Sequence, residues 1–106
     1  MAKTPSEKSI ELKIKERLRN SYGATVHKYH GSIYGVRGHA DLYGTLPLDG
    51  RAFFIEVKKS KNAERRRNQD LFLERERANG AIADYAWTVE MVDELMKASG
   101  VYPQNE

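Results

Sequence analysis

Residues 53–59 read Phe53-Phe54-Ile55-Glu56-Val57-Lys58-Lys59. An apolar run ends by placing a carboxylate and an ammonium two residues apart. Side chains of a strand alternate between faces, so Phe53, Ile55 and Val57 share one face and Ala52, Phe54, Glu56 and Lys58 the other. Glu56 and Lys58 then point the same way, about 6–7 Å apart along the strand. The pair is either an ordinary strand-end ion pair or half of an active site.

Reading outward from this strand (51–59) gives the rest of the order. The preceding Pro47-Leu48-Asp49-Gly50 is a hairpin turn, which makes a second strand of 39–46 (HADLYGTL) its antiparallel neighbour. Before that, ATVHKYHG gives a strand over 24–30, followed by the glycine-punctuated loop GSIYGVRG. The first helix covers 5–21, with Ile10, Ile14 and Leu18 at helical spacing and Gly23 as its stop. Thr4 is its expected N-cap, Pro5 its first residue, and Glu7 the partner in a capping box. Past the central strand, polar SKNAE leads into a helix over 63–79 closed by Asn79-Gly80. AIADYAW is a short strand. Thr88 caps a last helix with Val89, Val92, Leu95 and Met96 on one face and Gly100 past its end. The order α, three strands, α, strand, α makes an α/β fold with a mixed sheet, because a helix between the third and fourth strands implies a crossover.

The chain has 106 residues, the length of one domain (1–106). It has no cysteine, which excludes disulfides, thiolate metal sites and cysteine catalysis. No apolar run approaches the roughly 20 residues that span a bilayer, and the N-terminus lacks a signal-peptide core. The expectation is a soluble cytoplasmic protein with no membrane partner. The net charge is +3, but 58–67 (KKSKNAERRR) carries six cations against one anion. Such a run is a solvated face or a phosphate-binding edge.

Several polar residues sit where they bear on Glu56 and Lys58. Asp41, near the start of the second strand, lies across the hairpin from the end of the third. Two carboxylates on adjacent strands can converge on one hard cation that takes oxygen ligands and keeps several waters. Glu11 borders the apolar stripe of the first helix, where a carboxylate is costly without a partner; Lys15, four residues on, is the bland candidate. Gln69 precedes Phe72 and Leu73 on the inner side of the second helix, or is a solvent-facing amide. His39 and Asp41 share a strand face as in an H-x-D zinc site, but no third and fourth ligands are evident. His27, Lys28 and His30 line an edge of the first strand. Tyr22, Tyr29 and Tyr34 are core or surface aromatics, or platforms for unpaired bases.

Taken together, Glu11, Gly38-His39-Ala40-Asp41, Ile55-Glu56-Val57-Lys58 and Gln69 resemble the PD-(D/E)XK nuclease superfamily. More closely the chain resembles the VRR-NUC group, in the short stand-alone form encoded by phages and bacteria, over 6–87. Ala40 stands where the superfamily has its naming proline. The resemblance implies a restriction-endonuclease-like core (αβββαβ plus a C-terminal helix). It implies a Mg²⁺- or Mn²⁺-dependent endodeoxyribonuclease selective for branched DNA such as four-way (Holliday) junctions, working as a homodimer. Asp41, Glu56, the Val57 carbonyl and Glu11 would be the metal ligands. Lys58 would orient or deprotonate the attacking water, and Gln69 would position it. Lys59, Lys61, Arg65, Arg66 and Arg67, with Lys28 and Arg37, would hold DNA. The rival readings are a non-catalytic nucleic-acid-binding module of the same fold, a sequence-specific or nicking nuclease, and an RNA-directed enzyme. The apolar face of the last helix and the 31–38 loop are the candidate dimer surfaces.

Overall fold

The computed structural model describes residues 6–31 and 35–104. Helix α1 (Glu7–Tyr22) starts at Ser6, whose hydroxyl accepts from the Ser9 amide at 3.1 Å. Glu7 is therefore the first helical residue rather than the far half of a capping box, and Thr4 and Pro5 lie outside the described residues. Gly23, at φ 68°, ends the helix in the left-handed conformation that suits glycine.

Four strands form one sheet in the order β1 (Thr25–Lys28), β2 (Leu42–Thr45), β3 (Ala52–Val57), β4 (Ile82–Ala86). The first three are antiparallel in sequence, and β4 returns parallel to β3 after helix α2 (Arg67–Ala78). Helix α3 (Val89–Ala98) begins at Thr88, whose hydroxyl accepts from the Met91 amide at 3.1 Å. This is the expected α/β order with its mixed sheet.

The alternation of β3 divides the interior. Phe53, Ile55 and Val57 join Ile10, Ile14 and Leu18 of α1 and Val92 and Met96 of α3 in one cluster. On the opposite face Phe54 packs with Phe72 and Leu73 of α2 and Ala83 and Tyr85 of β4. Helices thus cover both faces, the arrangement that buries both sides of a sheet with a parallel pair. Arg17 and the Tyr22 hydroxyl both bond Asp93, at 2.9 and 2.7 Å, tying α1 to α3. Tyr22 is accordingly a core residue. The apolar stripe of α3, expected as a dimer surface, is spent inside the protomer: Val92 and Met96 are fully buried and Val89 and Leu95 pack on the same cluster.

Helix α2 starts four residues later than its sequence suggests. Residues 58–66 carry no apolar periodicity, so nothing in that stretch gives a helix a face to bury. The helix begins instead where the Gln69 side chain accepts from the Arg66 amide, at 3.3 Å. Both edge strands have a carbonyl covered by an arginine: Arg19 donates to Val26 O at 2.8 Å, and Arg77 to Ala83 O at 2.7 Å. Such side chains oppose edge-to-edge pairing of sheets. Among the described residues no helix is long and apolar enough to cross a membrane.

Gly44 sets the closeness of β1 and β2. A Cβ there would lie 1.7 Å from the Thr25 carbonyl oxygen, which is backbone and cannot swing aside. At Gly50 (φ +69°) a Cβ meets nothing within 4 Å, so alanine costs only its left-handed backbone, about 1–2 kcal/mol. Thermal melts should therefore show Gly44→Ala to be the more damaging variant, although only Gly50 has a positive φ. The reverse ranking would contradict this strand pairing.

Candidate active site

The β2–β3 register pairs Leu42 with Ile55. One step beyond, Asp41 and Glu56 meet and exchange side chains for backbone. The Glu56 carboxylate accepts from the Asp41 amide at 3.1 Å, and the Asp41 carboxylate accepts from the Val57 amide at 2.9 Å. The two acids are thereby locked to each other's strand ends.

Gln69, on the first turn of α2, joins this pair to Lys58. Its amide nitrogen donates to Glu56 Oε2 at 2.5 Å, and its oxygen accepts from Lys58 Nζ at 2.7 Å. Lys58 Nζ lies 3.7 Å from Glu56 Oε2. Gly38 makes this approach of loop and helix achievable. It has φ +74°, and a Cβ on it would sit 2.2 Å from the Asn68 carbonyl oxygen. The 38–41 segment therefore lies directly on the start of α2. So the structure brings Asp41, Glu56, Lys58 and Gln69 together, and Gln69 is a bridge rather than a solvent-facing amide.

Burial first, and then the charge of Asp41, push the Glu56 carboxyl up to about 8; Lys58 acts in the opposite direction. A buried acid and a half-buried one held side by side, offering only oxygen donors, form a set that a hard divalent cation suits. The donor set fits Mg²⁺ or Mn²⁺ on this ground. The Val57 carbonyl belongs to the same strand end.

Glu11 is placed differently. Its carboxylate is buried and takes both oxygens to Lys28 Nζ, at 2.6 and 2.8 Å. The partner is thus Lys28 across the α1–β1 gap rather than Lys15 along the helix. Hydrogen bonding to Glu11, with charge from Glu11 and Asp41 beside it, raises the Lys28 ammonium above its ordinary range against the pull of burial. Among the described residues no three His, Cys, Asp or Glu side chains converge as a metal cluster, so Glu11 stands apart from the Asp41–Glu56 pair.

Asp41 lies between the two groups and borders both adjoining clefts. One, of about 460 Å³, is lined by Asp41, Glu56, Gln69, Arg66, Arg37, His39 and Tyr29 among others. The other, of about 580 Å³, is lined by Glu7, Lys8, Glu11, Lys15, Lys28 and Asp41. Of the residues expected to hold DNA, Arg66 and Arg37 line the first cleft and Lys28 the second. Lys59, Lys61 and Arg67 are exposed on the 58–67 segment. Arg65 lays its guanidinium over the Tyr85 ring at 4.4 Å.

Some contributors escape the sequence. Tyr85 pairs with Glu56 in the parallel register, its ring 5.7 Å below Lys58 Nζ and its hydroxyl bonded to Asp70. Burial and Asp70 hold its phenol above the usual range. His39 stacks on Tyr29 with centroids 3.8 Å apart, and its Nδ1 lies 2.7 Å from Ala40 O. That ring is built into an aromatic cluster with Tyr43, Phe54 and Phe72 rather than into an H-x-D zinc site. Tyr34 lies outside the described residues. The sequence held one missed signal: Val26 and Lys28 share a strand face, which sends Lys28 toward α1.

No family model matches the chain, and no curated protein matches it. Among solved structures, a chain described as a VRR_NUC domain superposes with a TM-score of 0.71 at 33% sequence identity. The match covers 86% of this chain and 94% of that one.

The raised Glu56 carboxyl has a consequence for stability. An acid whose folded value lies above its unfolded one stabilises the fold while protonated; that stability is complete below the unfolded value and is lost as pH rises through the folded value. With an ordinary value of 4.5 and a folded one of about 8, chelator-treated protein should lose thermal stability across that window. Glu56→Gln should remove most of the fall and melt higher than wild type at the alkaline end. Parallel pH profiles for the two proteins would refute the assignment.

Proposed function

The chain belongs to the VRR-NUC nuclease-domain family, and on that premise we propose that it is a metal-dependent DNA endonuclease that hydrolyses phosphodiester bonds at four-way junctions or other branched DNA. It acts as a single nuclease domain over 1–106, inside the bacterial host cell. The observation that carries the reading is the hydrogen-bonded set Asp41, Glu56, Gln69 and Lys58. An ordinary strand-end ion pair needs neither a second acid locked to its strand nor a bridging amide.

In this reading Asp41, Glu56 and the Val57 carbonyl hold Mg²⁺ or Mn²⁺, with Glu11 at the adjoining cleft. When bound, the ion lowers the pKa of a water and offsets charge on the phosphate. The protein supplies the geometry. Gln69 fixes the Glu56 carboxylate and the Lys58 ammonium at once, leaving neither free to rotate. Lys58 orients the attacking water and stabilises negative charge as it grows on the phosphate. Locking both acids to backbone amides removes the reorganisation that a flexible site would need.

The exposed cations Lys59, Lys61, Arg66 and Arg67, with Arg37 in the cleft, grip backbone phosphates, which positions DNA without reading its sequence. Binding then weakens steeply with added salt. Symmetric cutting of two strands calls for two copies of the site, hence a homodimer. With the α3 stripe buried, the other surface the sequence offers for the dimer is the 31–38 loop, of which 32–34 lie outside the described residues.

A labelled four-way junction and its matching linear duplex, each with and without Mg²⁺ or Mn²⁺, test the proposal. Metal-dependent cutting of the junction alone is expected. Lys58→Ala should slow it by about 10²–10³-fold while leaving a folded protein that binds junction DNA. Binding without cutting by wild type would favour the non-catalytic module. Equal cutting of the duplex would remove the branch preference.

A further inference from the structure

Lys28 and Lys58 flank the Asp41–Glu56 pair from opposite faces of the sheet, Lys28 across the cleft from Asp41 and Lys58 beside Glu56. Lys58 extends from β3 toward α2, where Gln69 holds it. Lys28 follows Val26 on the α1 side, where Glu11 holds it through both carboxylate oxygens. Asp41 borders the cleft on each side.

The Glu11–Lys28 pair is unlike a surface ion pair. The Glu11 side chain is 10% exposed and Lys28 41%. The acid is therefore sunk in the protein while the ammonium remains on the cleft side. Lys28 also lies close enough to Asp41 for that carboxylate to favour its charged form, so the ammonium answers to both Glu11 and the rim acid. Glu11 spends both oxygens on a full positive charge at 2.6 and 2.8 Å, whereas the Glu56 oxygens meet only neutral amide donors within hydrogen-bond distance.

Resting on the nuclease reading above, we propose that Lys28 stands in for a second metal ion, so that the site works with one divalent cation and Glu11 acts as the anchor of Lys28. Charge balance favours this. Asp41, Glu56 and Glu11 with one phosphodiester carry four negative charges. Lys28 and Lys58 with one divalent ion carry four positive ones. A second divalent ion beside both lysines would leave the site strongly positive and would have to displace Lys28 from a bond of 2.6 Å. Lys28 thus faces the phosphate from the α1 side as Lys58 does from the α2 side.

Mn²⁺ titration followed by electron paramagnetic resonance and calorimetry, on the full chain, decides it. Wild type should bind a single ion per chain. Lys28→Met keeps the aliphatic stem but removes the charge, and should gain a second, weaker site as Glu11 is released. Glu11→Gln added to Lys28→Met should abolish that new site. Cleavage by Lys28→Met should fall by about tenfold or more at limiting Mn²⁺, the loss of one charge on the phosphate, and recover at high Mn²⁺. Far-ultraviolet circular dichroism of each variant establishes folding before titration; if Lys28→Met does not fold, Lys28→Gln is titrated in its place.

Two ions bound by wild type would overturn this proposal while leaving the nuclease reading intact. An unchanged stoichiometry in a folded Lys28 variant would do the same. Absence of any bound ion in wild type would overturn the metal-dependent reading itself, and this proposal with it.

Discussion

The arrangement rests on two acids meeting at the end of an antiparallel strand pair. Asp41 and Glu56 are brought together by the register of β2 on β3, and each is pinned by an amide of the other's strand. Burial, and then the charge of Asp41, disfavour an ionised Glu56, and its raised carboxyl records that cost. The fold tolerates it because the acids are hydrogen-bonded where they touch the core: Glu56 lies between Ile55 and Val57 of one cluster and pairs with Tyr85 of the other, and its carboxylate accepts from the Asp41 amide and from Gln69. Stability comes from the apolar body of β3, and the chemistry is confined to its end.

The same alternation distributes the rest of the site. One strand step sends Glu56 and Lys58 toward α2, where Gln69 waits on the first helical turn. A different strand, with Val26 and Lys28 on the α1 face, presents an ammonium to Glu11. Asp41 lies between them. The sheet therefore acts as a partition with a carboxylate pair on its rim and a clamped lysine on each side. Gly38 and Gly44 are the two backbone positions this closeness demands, one against α2 and one against β1.

Much of this was readable in the sequence. The period of β3, the turn at 47–50 and the apolar stripes of α1 and α3 are local signals, and they gave the element order and the mixed sheet. Spacing put Glu56 and Lys58 on one face and the hairpin put Asp41 across from them, but an ordinary ion pair stayed open until the family resemblance joined them with Glu11 and Gln69. What sequence could not supply was everything that depends on where separate elements meet. Tyr85 faces Glu56 only because β4 returns parallel to β3 at that register. The partner of Glu11 was sought along its own helix, although its carboxylate reaches across to β1. The start of α2 was set too early because polarity was read as helix. The arginine run straddles the observed boundary, with Arg66 as N-cap and Arg67 the first helical residue, and the Gln69 side chain accepting from the Arg66 amide fixes the start. The α3 stripe shows the same limit: an apolar face in sequence does not say whether a partner or the protein itself covers it.

The proposed chemistry stands or falls with a cation held between Asp41 and Glu56. A crystal of the protein grown at alkaline pH and soaked in Mn²⁺ locates such an ion through the anomalous difference map. A peak within ligand distance of oxygens from both Asp41 and Glu56 is expected, and should be lost in Asp41→Asn crystals. A map with no peak there at saturating Mn²⁺, or with its strongest peak at His39 instead, would contradict it.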